Sequence, residues 1–299
     1  MIIDMRCRYT GGSSSEYFQD RMARAGKTER IKAFADDSAE AFFLEIEKAG
    51  ITTAVSVSGC NPGAKLGRFD LPARTTSNDE LAAVQKANPG RFLAVGGIDA
   101  SNQFHDALSE IERCVHELGM RAITIEPGRA PGCLLNDPQL YPIYDLCQNL
   151  DISIIPQTSG GLGGKFLDYA NPHYIEQVAE AFPHLRIICG HGCYPFVREA
   201  IVIASRRDNI WLSPDGYFFH VGHEDWVRAI NHNMMGFADR FLFGSAYPLT
   251  AIEAFVKNFM KMGWKPEIAE KLLYRNALVA LKLEDDPTFQ RLYKTKISL

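Results

Sequence analysis

The run Ile175-Glu176-Gln177-Val178-Ala179-Glu180-Ala181-Phe182, followed by Leu185-Arg186-Ile187-Ile188-Cys189-Gly190-His191, decides the fold. Its first half places apolar residues at helical spacing, and its second half is a short apolar, β-branched run that ends on polar residues. The same unit recurs along the chain. Apolar runs stand at 2–6, 52–57, 92–98, 121–125, 152–156, 186–190, 209–213 and 240–243, with amphipathic stretches such as 39–48 and 107–115 between them. Strict alternation of this kind predicts parallel strands. Eight units without a break, and without a Gly-x-Gly-x-x-Gly turn, predict a closed α/β barrel, the (β/α)8 or TIM barrel, in preference to an open doubly wound sheet.

The rest of the chain fits one domain over residues 1–299. Two strand-to-helix connections, about 7–35 and 58–77, are far longer than the roughly two to six residues usual for such loops, and they are expected to cap the barrel mouth. The Gly-rich segment 159–165 lacks the Gly-Lys-Ser/Thr ending of a phosphate loop and reads as a mobile lid. After about Leu283 the apolar periodicity fades, which predicts a surface or subunit-contact tail. With 46% apolar and 23% charged residues and a net charge of -4, the chain offers no basic field for nucleic acid. No apolar run approaches a membrane span and no signal-peptide pattern opens the sequence, so a cytoplasmic location is expected. The 7 cysteines form no CxxC pair and read as reduced, mostly buried thiols.

Functional groups of such a barrel gather at the C-terminal ends of the strands. Strand one delivers Arg6 and Arg8, two residues apart and therefore on one side of the strand. Two buried guanidiniums need anions, supplied either by an internal network with Asp4, Glu126 or Asp215 or by a carboxylate or phosphate ligand, which the planar fork suits. Strand four ends in Glu126 and Arg129, and strand seven in Asp215. Ser213 and Ser245 lie in no nucleophile elbow, and alternation turns Cys7 away from the two arginines.

Several strand ends resemble those of the amidohydrolase-related superfamily, and of its amidohydrolase 2 family in particular. Ile2-Ile3-Asp4-Met5-Arg6-Cys7-Arg8 resembles a strand that ends there in His-x-His, and Phe243-Gly244-Ser245-Ala246-Tyr247-Pro248 one that ends in Gly-Ser-Asp-x-Pro. Gly190-His191-Gly192-Cys193-Tyr194-Pro195 resembles its His-Gly-Gly strand, Gln157 stands at its strand-five His position, and Arg275-Asn276-Ala277 matches its late Asn-Ala. The resemblance implies a metal-dependent-hydrolase-like barrel acting on small carboxylic acids, as hydrolase, lactonase, hydratase or decarboxylase. Of the five metal positions, however, Arg6, Arg8, Gln157 and Ala246 depart, and one imidazole cannot hold a metal that wants three or four ligands. The expectation is therefore an enzyme with no metal and no cofactor. It would hydrolyse a lactone, amide or ester bond in a small carboxylate, with a decarboxylase or hydratase as the alternative. His191 would move the proton with Asp215 as its orienter, and Arg6, Arg8, Glu126, Arg129, Gln157 and Tyr247 would bind substrate. A non-catalytic carboxylate-binding relative is the reading from another class. The partner implied is a small molecule, with neither nucleic acid nor membrane, and a homodimer follows from the resemblance alone.

Overall fold

In a computed structural model, which describes residues 1–57, 59–102 and 106–297, seven parallel strands form one curled sheet in sequence order. They are β1 (Ile3–Asp4), β2 (Thr53–Val57), β3 (Phe92–Ile98), β4 (Ala122–Ile125), β5 (Ser153–Pro156), β6 (Arg186–Gly190) and β7 (Ile210–Ser213). The eighth expected strand is an extended segment that bridges Phe241 to Leu212 on one side and, through Met5 N–H to Phe243 O at 2.9 Å, joins β1 on the other. That segment closes the barrel. A further bridge pairs Cys7 with Tyr247 above it.

The strands form where β-branched and aromatic residues concentrate, and they are buried on both faces because helices wrap the outside. Ile3, Val55, Val57, Ile123, Ile154, Ile187 and Leu212 all lie in one continuous apolar core. Helices begin at sequence-readable caps: the Ser38 hydroxyl accepts from Ala41 N–H, and the Asp106 carboxylate from Leu108 and Ser109 N–H.

Both long insertions are built, not loose, although residue 58 itself lies outside the described residues. The first carries helix α1 (Ser15–Arg24) and then leads into α2 (Ala39–Lys48), which packs on the barrel. The second folds into two short antiparallel pairs, Cys60–Asn61 with Arg74–Thr75 and Ala64–Leu66 with Phe69–Leu71. The tail, read in the sequence as a surface or subunit-contact segment, is ordered. It forms a helix over Pro287–Ile297 whose Phe289 is buried, and Gly90 leaves room for Thr288 and Leu292 against the barrel. Among the described residues no helix is long and apolar enough to cross a membrane.

Candidate functional site

At the C-terminal mouth a cavity of about 250 Å³ is lined by groups from β1, the two insertions and the loops after β4 to β7. Arg8, Glu126, Arg129, Gln157, His191 and Asp215 all face it, as does Ala246. Two sets of side chains share this space, and they differ in how far their charges are satisfied.

The lower set surrounds Arg6, which is 1% exposed. Its Nη2 donates to Gln157 Oε1 at 2.6 Å and to His191 Nε2 at 2.9 Å, and its Nε lies 3.1 Å from Asp215 Oδ2. One guanidinium thereby joins the ends of β1, β5, β6 and β7. Asp215 completes the set, taking His191 Nδ1 at 3.0 Å and the His191 backbone N–H at 3.1 Å. The tautomer follows from these bonds. A guanidinium only donates, so Nε2 is the acceptor and Nδ1 carries the proton to Asp215. Burial, and then the Arg6 charge, push the His191 imidazole down to about 4, so it is neutral. Burial pushes the Asp215 carboxyl upward, but His191 and the Arg6 charge outweigh it and hold the group below the usual carboxylate range. Beneath them Asp4 accepts from the N–H groups of Arg6 and Ser245, and burial lifts its carboxyl to about 6.

Local backbone conformation serves this arrangement. His191, Asp215 and Ala246, the residues at the ends of three successive strands, have φ of 72°, 48° and 60°. Each turns its chain sharply at the mouth in a left-handed conformation that L-residues adopt at a cost.

The upper set is cationic and incompletely paired. Arg8 is 3% exposed, its Nε and Nη1 have no hydrogen-bond partner, and among the described residues it makes no ion pair. It sits over the Phe18 ring at 5.5 Å. Burial, then Arg6 and Arg74, depress its proton affinity well below the ordinary value. An arginine does not give up its proton in a protein, so Arg8 stays a buried cation. Farther along the cavity Glu126 is shared by Arg74 and by Arg129, whose Nη1 is 3.0 Å from Oε2. Tyr17 and Arg21 of α1 complete this wall. Arg74 stands over the Tyr17 ring at 5.6 Å, and burial, which would raise the Tyr17 hydroxyl, is outweighed by the charges of Arg74, Arg21 and Arg129, which hold it below its usual range. Tyr217, stacked on Tyr194 at 4.6 Å and bonded to the Ser159 hydroxyl at 3.0 Å, forms an aromatic side of the cavity.

Several expectations need correction. Glu126 does not neutralise Arg6 or Arg8; it is held by Arg74 and Arg129. Tyr247 is not in the cavity. Its ring packs at 6.1 Å from Phe42 of α2, because alternation past the strand end turns Ala246 inward and Tyr247 outward. Arg6 lies below the cavity instead of lining it, and reaches it through His191, Gln157 and Asp215. The 159–165 segment is tied down by Gly160 N–H to Tyr194 O, Gly163 N–H to Ser159 O and Arg129 Nε–H to Leu162 O. Sequence reasoning missed Tyr17, Arg21, Arg74 and Tyr217 as site residues. The spacing of Tyr17 and Arg21 on one helical face was the available signal.

The residues present do not fit a divalent metal. Guanidiniums have no lone pair, Ala246 has no donor, and the Gln157 oxygen and the His191 Nε2 both accept from Arg6. Among the described residues no group of three or more His, Cys, Asp or Glu is placed to hold a metal ion.

Comparison with known proteins gives the setting. A family model described as amidohydrolase matches residues 60–283. An uncharacterized TIM-barrel protein from Bordetella bronchiseptica is 31% identical, with 94% of this chain and 98% of that one covered and a TM-score of 0.77. A dihydroxybenzoic acid decarboxylase from Polaromonas, solved with bound manganese and the inhibitor 2-nitroresorcinol, shares the fold at 18% identity, covering 96% and 98% with a TM-score of 0.67. A 2-amino-3-carboxymuconate-6-semialdehyde decarboxylase of Dictyostelium discoideum is 34% identical over 77 residues, 26% of this chain and only 21% of that protein's length.

Proposed function

The chain belongs to the amidohydrolase family, and on that premise we propose that it is a metal-independent enzyme, a single barrel domain acting on a small carboxylate. The observation that carries this reading is Arg8, a buried guanidinium facing the cavity without a protein anion. A substrate carboxylate supplies the missing charge in bidentate geometry. Arg6 stands as the fixed positive centre beneath it, and a preorganised cation in a desolvated site stabilises an oxyanion as it develops.

The His191 geometry bears on the reaction. A hydrolase needs a group that activates water, and the His191 Nε2 lone pair already accepts from Arg6. Hydrolysis of a lactone, amide or ester therefore requires Arg6 to release it. Decarboxylation does not, and this favours it over hydrolysis or hydration. In that reaction the C–C bond to the carboxyl group breaks, and its electron pair passes to a substrate oxygen facing the guanidiniums. Carbon dioxide leaves, and a proton from solvent or a cavity hydroxyl takes its place on carbon. The decarboxylase names among the relatives support the same choice.

The test is turnover of a panel of hydroxybenzoates, unsaturated carboxylic acids and carboxylated lactones by enzyme stripped with a chelator. Release of carbon dioxide or ring-opened acid that survives the chelator and is lost in Arg8→Met supports the reading. Turnover that appears only after a divalent metal is added contradicts it.

A further inference from the structure

The cavity carries two uncompensated positive charges, and they are in different places. The first is Arg8, just past β1, with no carboxylate within ion-pair distance among the described residues. The second lies on the wall built by the insertions and the loop after β4, where Arg74 and Arg129 have only Glu126 between them. Arg74 is 6% exposed, and its Nε has no hydrogen-bond partner. Two guanidiniums share one carboxylate, so this wall too is short of negative charge, and burial, then the Arg129 charge, lower the Arg74 proton affinity to about 9. The other carboxylates are already used. Asp215 is paired with Arg6 and His191, and Asp4 lies outside the cavity lining, bonded to backbone N–H groups. Arg21 lines the rim of the same wall and is partly exposed, where solvent screens its charge.

Tyr17 points to what the second wall takes. It lines the cavity beside Arg21, Arg74 and Arg129, and its hydroxyl can donate to an acceptor there. Three guanidiniums and a hydroxyl donor around one spot form an anion cradle, and the Tyr17, Phe18 and Tyr217 rings beside it suit a flat carbon frame.

We infer that the cavity has two anion subsites, Arg8 and the Arg74–Arg129–Tyr17 cradle, and therefore takes a small planar dicarboxylate in preference to a monocarboxylate. This rests on the reading of Arg8 as a carboxylate anchor and adds the second charge. Removing Arg74 leaves Glu126 paired with Arg129, so Arg74→Met cancels the excess of the second subsite without creating an orphaned carboxylate.

Calorimetric titration of the full chain with benzoate and with isophthalate tests it. Isophthalate is expected to bind at least about tenfold more tightly than benzoate, since one further charge-assisted contact is worth about that factor. Arg74→Met is expected to bring isophthalate down to the benzoate level while benzoate is unchanged. Tyr17→Phe, which keeps the ring, is expected to weaken isophthalate alone and by less, and it serves if Arg74→Met does not fold. Equal affinity of the two ligands for the wild type, or equal weakening of both in the variants, overturns the second subsite and leaves the Arg8 anchor in place. Failure of both ligands to bind overturns both.

Discussion

The two halves of the mouth hold similar charges in opposite states. Around Arg6 the guanidinium meets the imidazole, the amide and the carboxylate, and the set is closed in charge because Asp215 matches Arg6, although Arg6 Nη1 and Gln157 Nε2 keep no partner. Around Arg8 and Arg74 the guanidiniums outnumber the carboxylates and line an open cavity. Buried charges cost several kcal/mol each unless they are paired, so a closed set is explained by structure while an open one calls for a ligand. The comparison therefore assigns the lower half to positioning and the upper half to binding.

The largest effect should come from breaking the closed half. Asp215→Ala leaves Arg6 buried without its carboxylate and is expected to destabilise the protein by about 3–5 kcal/mol in urea unfolding. A loss below about 1 kcal/mol would mean that the set is open to water after all.

A second effect is confined to acid. The folded His191 value, about 4, lies below the ordinary 6.5, so the unfolded chain takes the proton first as the pH falls. Its contribution to stability is complete above 6.5 and is lost as the pH falls from there through about 4. Asp4 acts in the opposite sense: with its folded value raised to about 6 from 3.8, it favours the folded state as the pH falls across that span. The difference between the wild type and His191→Asn isolates the first slope, and carbon-13 shifts of the imidazole should show the neutral Nδ1–H form at pH 6. A His191 that titrates near 6.5 breaks the account of the closed half.

In the open half the sign reverses. Arg8→Met removes an unpaired buried cation and keeps an apolar stem against Phe18, so it should raise stability by about 2 kcal/mol while abolishing benzoate binding at the Arg8 subsite. A destabilised Arg8→Met that still binds benzoate would erase the distinction between the halves. The smallest effect is at the backbone: Ala246 has φ of 60°, and Ala246→Gly should gain about 1 kcal/mol in thermal unfolding by releasing left-handed strain.

How much of this could be read from the sequence depended on period. The strand runs were legible because a buried parallel strand writes a β-branched stretch of fixed length, and the strand ends then placed Arg8, His191 and Asp215 at one mouth. Pairing was not legible. Whether Glu126 meets Arg8 or Arg74 depends on where residues 58–77 fold back, and no periodicity fixes the tip of a long insertion. Tyr17 and Arg21 were hidden for the same reason: their helix is plain in the sequence, but its seat over the mouth is a tertiary fact. Tyr247 was misplaced by following the proximity of a motif where alternation across Ala246 decides direction.

The most direct test of the central claim is a crystal structure of the protein grown with benzoate and excess manganese. The account predicts a carboxylate on the Arg8 guanidinium, with Arg6 still bonded to His191 Nε2, Gln157 and Asp215. A manganese ion on His191 Nε2, with the Arg6 side chain displaced, would contradict it.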